Sequence, residues 1–164
     1  MCVPIVILNK SFGERIAAFA SRLAFETGDA KALPYEDHSF DTVFSNTILH
    51  HIPDPLPFLR EARRVLRPGG ALLIRDLFRP DTSERADELV ALHAAAASPE
   101  QQRLFRDSLC AAFTPEELRE LADRAGLEHA QLVLDSDRHV SLQIRSASHS
   151  PWNIRRVPPA PRRT

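Results

Sequence analysis

The stretch from residue 39 to residue 77 decides the fold, and it reads SFDTVFSNTILHHIPDPLPFLREARRVLRPGGALLIRDL. Residues 40–45 carry apolar and β-branched side chains around Val43, a composition that predicts a strand. Residues 56–66 are amphipathic with a helical period, and residues 71–74 form an apolar run typical of a sheet buried on both faces. Strand, helix and strand in this order predict a parallel α/β sheet.

The same alternation extends upstream of this stretch. Residues 3–8 are apolar and β-branched and predict a buried strand, and residues 23–26 predict a second, shorter strand. Between them Ser11 is a plausible N-cap for a helix that runs to about Arg22.

Downstream, the pattern predicts three helices and then two strands. The helices cover residues 83–97, 99–111 and 114–126, and the strands cover residues 130–134 and 140–144. Thr114, Pro115 and Glu117 form a capping-box start for the third helix, and Gly126 suits its end. The turn-like residues 135–138 join the strands, which predicts an antiparallel edge. We therefore expect a three-layer α/β sandwich with a mostly parallel sheet of about five to six strands.

Composition indicates one ordinary globular domain. The chain has 164 residues, 43% of them hydrophobic, and a formal net charge of −1, so nothing favours a nucleic-acid or membrane partner. Residues 1–147 are expected to form the domain, and the proline- and arginine-rich residues 148–164 a disordered tail.

Cys2 and Cys110 are isolated, with Cys110 expected in the core, and two such thiols fit a cytoplasmic location. The histidines show no metal-ligand spacing, so no metal site is predicted.

Five short motifs, in order and at close spacing, carry a resemblance to a known family. They occupy residues 28–30 (GDA), 33–35 (LPY), 39–46 (SFDTVFSN), 50–54 (HHIPD) and 61–70 (EARRVLRPGG). Together they resemble the central part of the class I, Rossmann-like methyltransferases that depend on S-adenosylmethionine.

The resemblance implies S-adenosylmethionine as the cofactor and assigns residues to it. Asp29 would accept a hydrogen bond from the adenine amino group, the Ala30 N–H would meet a ring nitrogen, and Leu33 would lie near the adenine face. Ser45 and Asn46 would end the strand that contacts the methionine part. The alternative for Asp29 is a turn-forming aspartate that follows a glycine.

Polar residues after the predicted strand ends are candidates for the acceptor side of the site. His50 or His51 could act as a general base near neutral pH; alternatively, one of them packs the next helix and the other is solvated. Arg75, Asp76 and Arg79 could bind a polar substrate or form ordinary ion pairs.

The beginning of the chain departs from the family pattern. The glycines are Gly13, Gly28, Gly69, Gly70 and Gly126, so no Gly-x-Gly loop lies between a first strand and its helix. Only 27 residues precede Gly28, and we therefore expect an N-terminally truncated member that lacks at least one strand and one helix. Residues 3–8 and 11–22 could be the family's first strand and helix; alternatively, the chain begins within the second helix.

The expected activity is methyl transfer to an unidentified small molecule. Two alternatives stay open. The chain could be a truncated or mis-started gene product, or it could be a degenerate, non-catalytic domain that binds a partner. An uncovered sheet edge would also permit a homo-oligomer.

Overall fold

The computed structural model describes residues 28–146, and our predictions for residues 1–27 and 147–164 lie outside that range. The described helices and strands follow one another as β1 (Phe40–Asn46), a 3₁₀ turn (Leu49–His51), α1 (Leu56–Val65), β2 (Leu66–Leu77), α2 (Ser83–His93), α3 (Pro99–Ala111), α4 (Pro115–Arg124), β3 (Gln131–Leu134) and β4 (His139–Ile144). The order of these elements confirms the α/β prediction.

The four described strands form one mixed sheet in the order β1-β2-β4-β3. β1 pairs with β2 in parallel, whereas β4 pairs antiparallel with both β2 and β3. The parallel pair and the antiparallel C-terminal edge are as predicted. The two further strands expected over residues 3–8 and 23–26 lie outside the described range, and the sheet is mixed rather than mostly parallel within it.

The main core lies on the face of the sheet that α1 and α4 cover. Helix α1 buries Phe58, Leu59, Ala62 and Val65, the stripe that its helical period predicts. Phe58, Leu59 and Ala62 belong to the same buried cluster as residues on β2, β4 and α4, among them Ile74, Leu142 and Leu118. On β2 burial alternates, because Leu72 and Ile74 are buried and Ala71 and Leu73 are only half-buried.

A bulge interrupts β2 near residues 67–70. β2 already begins at Leu66, directly after α1, and its register against β1 shifts between Phe40 and Thr42. Gly69 has a φ of 76°, a conformation that favours glycine. A Cβ on Gly70 would lie 2.8 Å from the Asp41 carbonyl oxygen, so the two strands approach closely here.

Helices α2 and α3 pack against each other and against the carboxyl end of β2. Leu77, Leu89, Leu109 and Ala112 form a second buried cluster between them, and α3 also contacts the 3₁₀ turn. α2 ends at His93 rather than at Ala97, so that prediction was four residues too long. Cys110 is exposed, and its predicted place in the core was wrong.

The start of α4 follows the predicted capping box. The Thr114 hydroxyl accepts a hydrogen bond from the Glu117 N–H, and the Glu117 carboxylate accepts one from the Thr114 N–H. The helix ends before Gly126, whose φ of 77° matches its predicted role. No helix between residues 28 and 146 is long and apolar enough to span a bilayer.

Candidate functional site

The carboxyl ends of β1 and β2 meet at one edge of the sheet because the two strands are parallel. Asn46 lies opposite Arg75 in the register, and the Thr47 N–H extends the ladder with a 2.8 Å hydrogen bond to the Arg75 carbonyl. Thr47 then adopts a φ of 57°, which is uncommon for a β-branched residue. The chain turns sharply at this point, and the next two backbone amides, of Ile48 and Leu49, both reach Asp76 on β2.

Asp76 and His50 form a buried pair at this edge. The His50 Nδ1 lies 2.6 Å from Asp76 Oδ1, and their side chains are 2% and 4% exposed. The other carboxylate oxygen accepts hydrogen bonds from the N–H groups of Ile48 (3.0 Å) and Leu49 (2.5 Å), and Oδ1 accepts one from Leu77 (2.6 Å). An ionised carboxylate can only accept hydrogen bonds, so this arrangement assigns a proton to Nδ1 of His50, and in the neutral imidazole Nε2 is then the acceptor.

His51 lies beside the buried pair and is exposed. Its ring packs on that of His50, with centroids 4.0 Å apart and a tilt of 44°. Partial burial lowers the pKa of His51 below its ordinary value of 6.5, and the charge of His50 lowers it further, against an opposing effect of Asp76. The neutral imidazole is therefore favoured at this position.

Arg75 joins the ends of three strands on the other face of the sheet. Its guanidinium donates to Asn46 Oδ1 at 3.2 Å and pairs with Asp135, which follows β3, at 3.3 Å. His139 begins β4 at the same edge, opposite Leu77. Burial lowers the pKa of His139, and the positive charges of Arg75 and Arg138 add to this effect.

The loop that carries Asp29, Ala30 and Leu33 lies against α1. Asp29 Oδ1 accepts a hydrogen bond from the Lys31 N–H at 2.9 Å, so the side chain forms the turn that was our alternative prediction. A carboxylate has about four lone-pair sites, so this bond does not exhaust its acceptors. Ala30 is 7% exposed and belongs to the main buried cluster, and the Leu33 N–H donates to Glu61 on α1.

The structure thus gathers the predicted residues into two groups. Ser45, Asn46, His50 and His51 lie at the carboxyl end of β1, where Ser45 and His50 are buried. Asp29, Ala30 and Leu33 form the second group, and Ala30 shares its buried cluster with Leu49 of the 3₁₀ turn.

Arg75 and Arg79 form ion pairs, the second of the two alternatives for them. Arg79 pairs with Glu117 of α4 at 2.5 Å and donates to the Ala112 carbonyl. Residues 135–138 form the expected polar turn between β3 and β4. Within it Asp137 lies 2.7 Å from His93 at the end of α2.

Sequence reasoning missed the roles of three residues. Asp76 was considered only for substrate binding or an ordinary ion pair, although an aspartate at the carboxyl end of a buried strand is a signal for a functional edge. Glu61 and Arg64 lie off the apolar stripe of α1, yet their side chains are only 17% and 18% exposed and bind the loop around Leu33. Their spacing of three residues was the available signal for a pair.

Comparison with known proteins agrees with this architecture. Residues 8–74 match the family model described as a methyltransferase domain. The chain is 30% identical over 149 residues to a ubiquinone/menaquinone biosynthesis C-methyltransferase of Roseobacter denitrificans. This match covers 84% of this chain and 56% of that protein. It is 53% identical over 55 residues to the 27-O-demethylrifamycin SV methyltransferase of Amycolatopsis mediterranei. This match covers 34% of this chain and 20% of that protein. The chain therefore spans about half or less of the length of these relatives.

Solved structures share the fold at low sequence identity. The trans-methyltransferase CalH, solved in complex with SAH, matches 84% of this chain and 39% of its own with a TM-score of 0.56 and 23% identity. The CurJ carbon methyltransferase matches 83% of this chain and 39% of its own with a TM-score of 0.54 and 15% identity. Residues 8–74 therefore match a methyltransferase domain, and the described sheet with its flanking helices has the Rossmann-like fold of these solved methyltransferases.

Proposed function

We propose that this protein transfers a methyl group from S-adenosylmethionine to a small-molecule acceptor. The observation that carries the proposal is the buried His50–Asp76 pair at the carboxyl edge of β1 and β2. Ligands of open α/β sheets bind at this edge, and a histidine held by a carboxylate is suited to accept a proton there. The relatives named above act on, or in the biosynthesis of, small molecules, which supports an acceptor of that class.

The residues of the loop at the N-terminal side suit the adenine end of the cofactor. We assign the Asp29 carboxylate to the exocyclic amine, because an ionised carboxylate only accepts hydrogen bonds and the amine donates them. The backbone N–H of Ala30 is the donor for a ring nitrogen, and Leu33 supplies apolar surface for the ring. Ser45 and Asn46 end β1 and are assigned to the methionine part.

His50 is assigned to the acceptor side of the site. Asp76 holds its Nδ1–H, so Nε2 is the nitrogen that would take a proton from an acceptor hydroxyl, amine or carbon acid. The ring of His51 lies against that of His50, and its lowered pKa favours the neutral imidazole, so His51 is a second candidate base.

The chain's own residues have only to hold the cofactor and the acceptor in line and, where needed, to deprotonate the acceptor. When bound, S-adenosylmethionine supplies a methyl group on a positively charged sulfur. Holding donor and acceptor in line supplies much of the rate, and a base is needed only when the acceptor loses a proton.

Substitution of Asp29 tests the adenine assignment. Asp29→Ala removes the acceptor for the amine, and we expect binding of S-adenosylhomocysteine to weaken by about tenfold or more, the value of a hydrogen bond to a charged group. Calorimetric titration measures the affinity, and Asp81→Ala, which removes the same charge from an exposed loop, is the matched control. Equal affinities for Asp29→Ala and the wild type would sink the assignment.

Two further expectations stay predictions. The isolated cysteines favour a cytoplasmic location, and an open sheet edge would favour a homo-oligomer.

A further inference from the structure

Arg64 on α1 uses all five of its N–H donors. Two of them form a bidentate pair with Glu61, from Nε to Oε1 at 2.7 Å and from one terminal nitrogen to Oε2 at 2.8 Å. That same nitrogen donates to the Leu33 carbonyl at 3.2 Å. The other terminal nitrogen donates to the Tyr35 carbonyl and to Asp37 Oδ1, both at 2.8 Å. An arginine has no further donors, so every one is committed to Glu61 or to the loop.

The pair holds both backbone groups of Leu33. The Leu33 N–H donates to Glu61 Oε2 at 2.8 Å, and its carbonyl accepts from Arg64. The backbone carbonyl of Arg64 also accepts from the His38 N–H at 2.9 Å. The loop from Leu33 to His38 is thus fixed to one turn of α1 at several successive points.

A shift of Leu33 would be passed on to Asp29. The Lys31 N–H binds the Asp29 side chain, and the Ala32 N–H binds the Asp29 carbonyl at 3.0 Å, so residues 29–32 form one hydrogen-bonded turn. Leu33 follows this turn directly. The orientation of the Asp29 carboxylate therefore depends on where α1 holds Leu33.

We propose that Glu61 and Arg64 are positioning residues for adenine recognition: through Leu33 they orient Asp29 toward the exocyclic amine of the cofactor. This inference rests on the proposed function. Hydrogen bonds with Glu61 and then with Asp37 raise the pKa of Arg64 above its ordinary range, so the guanidinium stays charged. A lysine cannot replace the arginine, since it lacks the planar fork.

The test compares two ligands that differ at the adenine amine. S-adenosylhomocysteine carries the amine, whereas S-inosylhomocysteine has an oxygen in its place and offers Asp29 no exocyclic donor. We expect the wild-type full-length chain to prefer the adenosyl ligand by roughly ten- to a hundredfold in calorimetric titration. Glu61→Gln and Arg64→Lys should reduce this preference to about threefold or less, because the carboxylate loses its orientation.

Arg60→Gln is the matched control. It removes one positive charge from the same helix, but the Arg60 side chain is exposed and donates to the Arg124 carbonyl on α4 instead of to the loop. This variant should keep the wild-type preference. A purely structural network would change stability while leaving the ratio of the two affinities unaltered, so the ratio separates the two roles.

A second measurement needs no ligand. Amide hydrogen exchange at Leu33 should be faster in Glu61→Gln than in the wild type, with the Leu59 amide within α1 as the internal reference. Faster exchange at Leu33 with an unchanged ligand preference would overturn the inference. A wild-type chain that binds both ligands equally would overturn the Asp29 assignment as well, and a chain that binds neither would overturn the proposed function.

Discussion

Asp76 is a buried carboxylate whose two oxygens accept hydrogen bonds from three backbone amides and from His50. Two of those amides, of Ile48 and Leu49, come from the sharp turn that Thr47 begins. The carboxylate thus fixes both the turn after β1 and the orientation of the imidazole. Every partner would be left partly unsatisfied if the charge were removed.

Neutralising Asp76 should therefore be costly. We expect Asp76→Asn to lower the free energy of unfolding by about 3 kcal/mol, because it breaks a buried, hydrogen-bonded pair. Urea unfolding followed by circular dichroism measures the change. Asp41→Asn is the control: its side chain is 61% exposed and pairs with Arg67, so the loss should be below about 1 kcal/mol. Equal losses in the two variants would contradict the role given to Asp76.

His51 should make stability depend on pH. Its pKa in the folded protein is below the ordinary value of 6.5, so the unfolded chain binds this proton more tightly. The free energy of unfolding should therefore fall as the pH drops below 6.5 and level off below the folded pKa. His139 has a lowered pKa too and should act in the same direction.

His51→Gln should reduce this dependence. Urea unfolding of the variant at about pH 5.5 and about pH 8 should give a smaller difference than in the wild type, because one proton-binding group is gone. Above about pH 7.5 the two proteins should show the same slope, which serves as the internal control. A variant with a steeper loss on acidification would refute the assignment.

Helices α1 and α4 could be predicted because their signals are local in the sequence. The apolar stripe of α1 and the capping box at Thr114 and Glu117 are local features, and both predictions were confirmed. The bulge in β2 was not predictable in this way. It depends on how closely Gly70 approaches the Asp41 backbone on β1, and the turn-like residues 67–70 alone favour ending a helix.

Gly70 should be intolerant of a side chain. A Cβ there would lie 2.8 Å from the Asp41 carbonyl oxygen and 2.9 Å from the Arg67 carbonyl oxygen, both of them backbone atoms. We expect Gly70→Ala to destabilise the protein by about 1 to 3 kcal/mol in thermal or urea unfolding. The matched control is Gly28→Ala, where a Cβ would meet nothing within 4 Å. A loss of stability for Gly28→Ala as large as that for Gly70→Ala would contradict this explanation.

At the scale of the whole molecule, the sequence predicted the Rossmann-like α/β fold and the strand edge at which the candidate site residues lie. Asn46, His50 and His51 could be placed there because they directly follow a predicted strand. The pairing of His50 with Asp76 could not, since the two are 26 residues apart and meet only through the parallel register of β1 and β2. The contacts of Glu61 and Arg64 with Leu33 could not be predicted for the same reason, since these residues are about 30 positions apart in the sequence.

The central claim is that residues 29–33 and the carboxyl end of β1 form one cofactor site. Titration of the ¹⁵N-labelled full-length chain with S-adenosylhomocysteine, followed by amide chemical shifts, tests it most directly. We predict saturable shifts at Ala30, Leu33 and Asn46 with a single affinity, and none at Arg103 on the exposed side of α3. Absence of saturable shifts, or shifts confined to amides outside these two segments, would contradict the account.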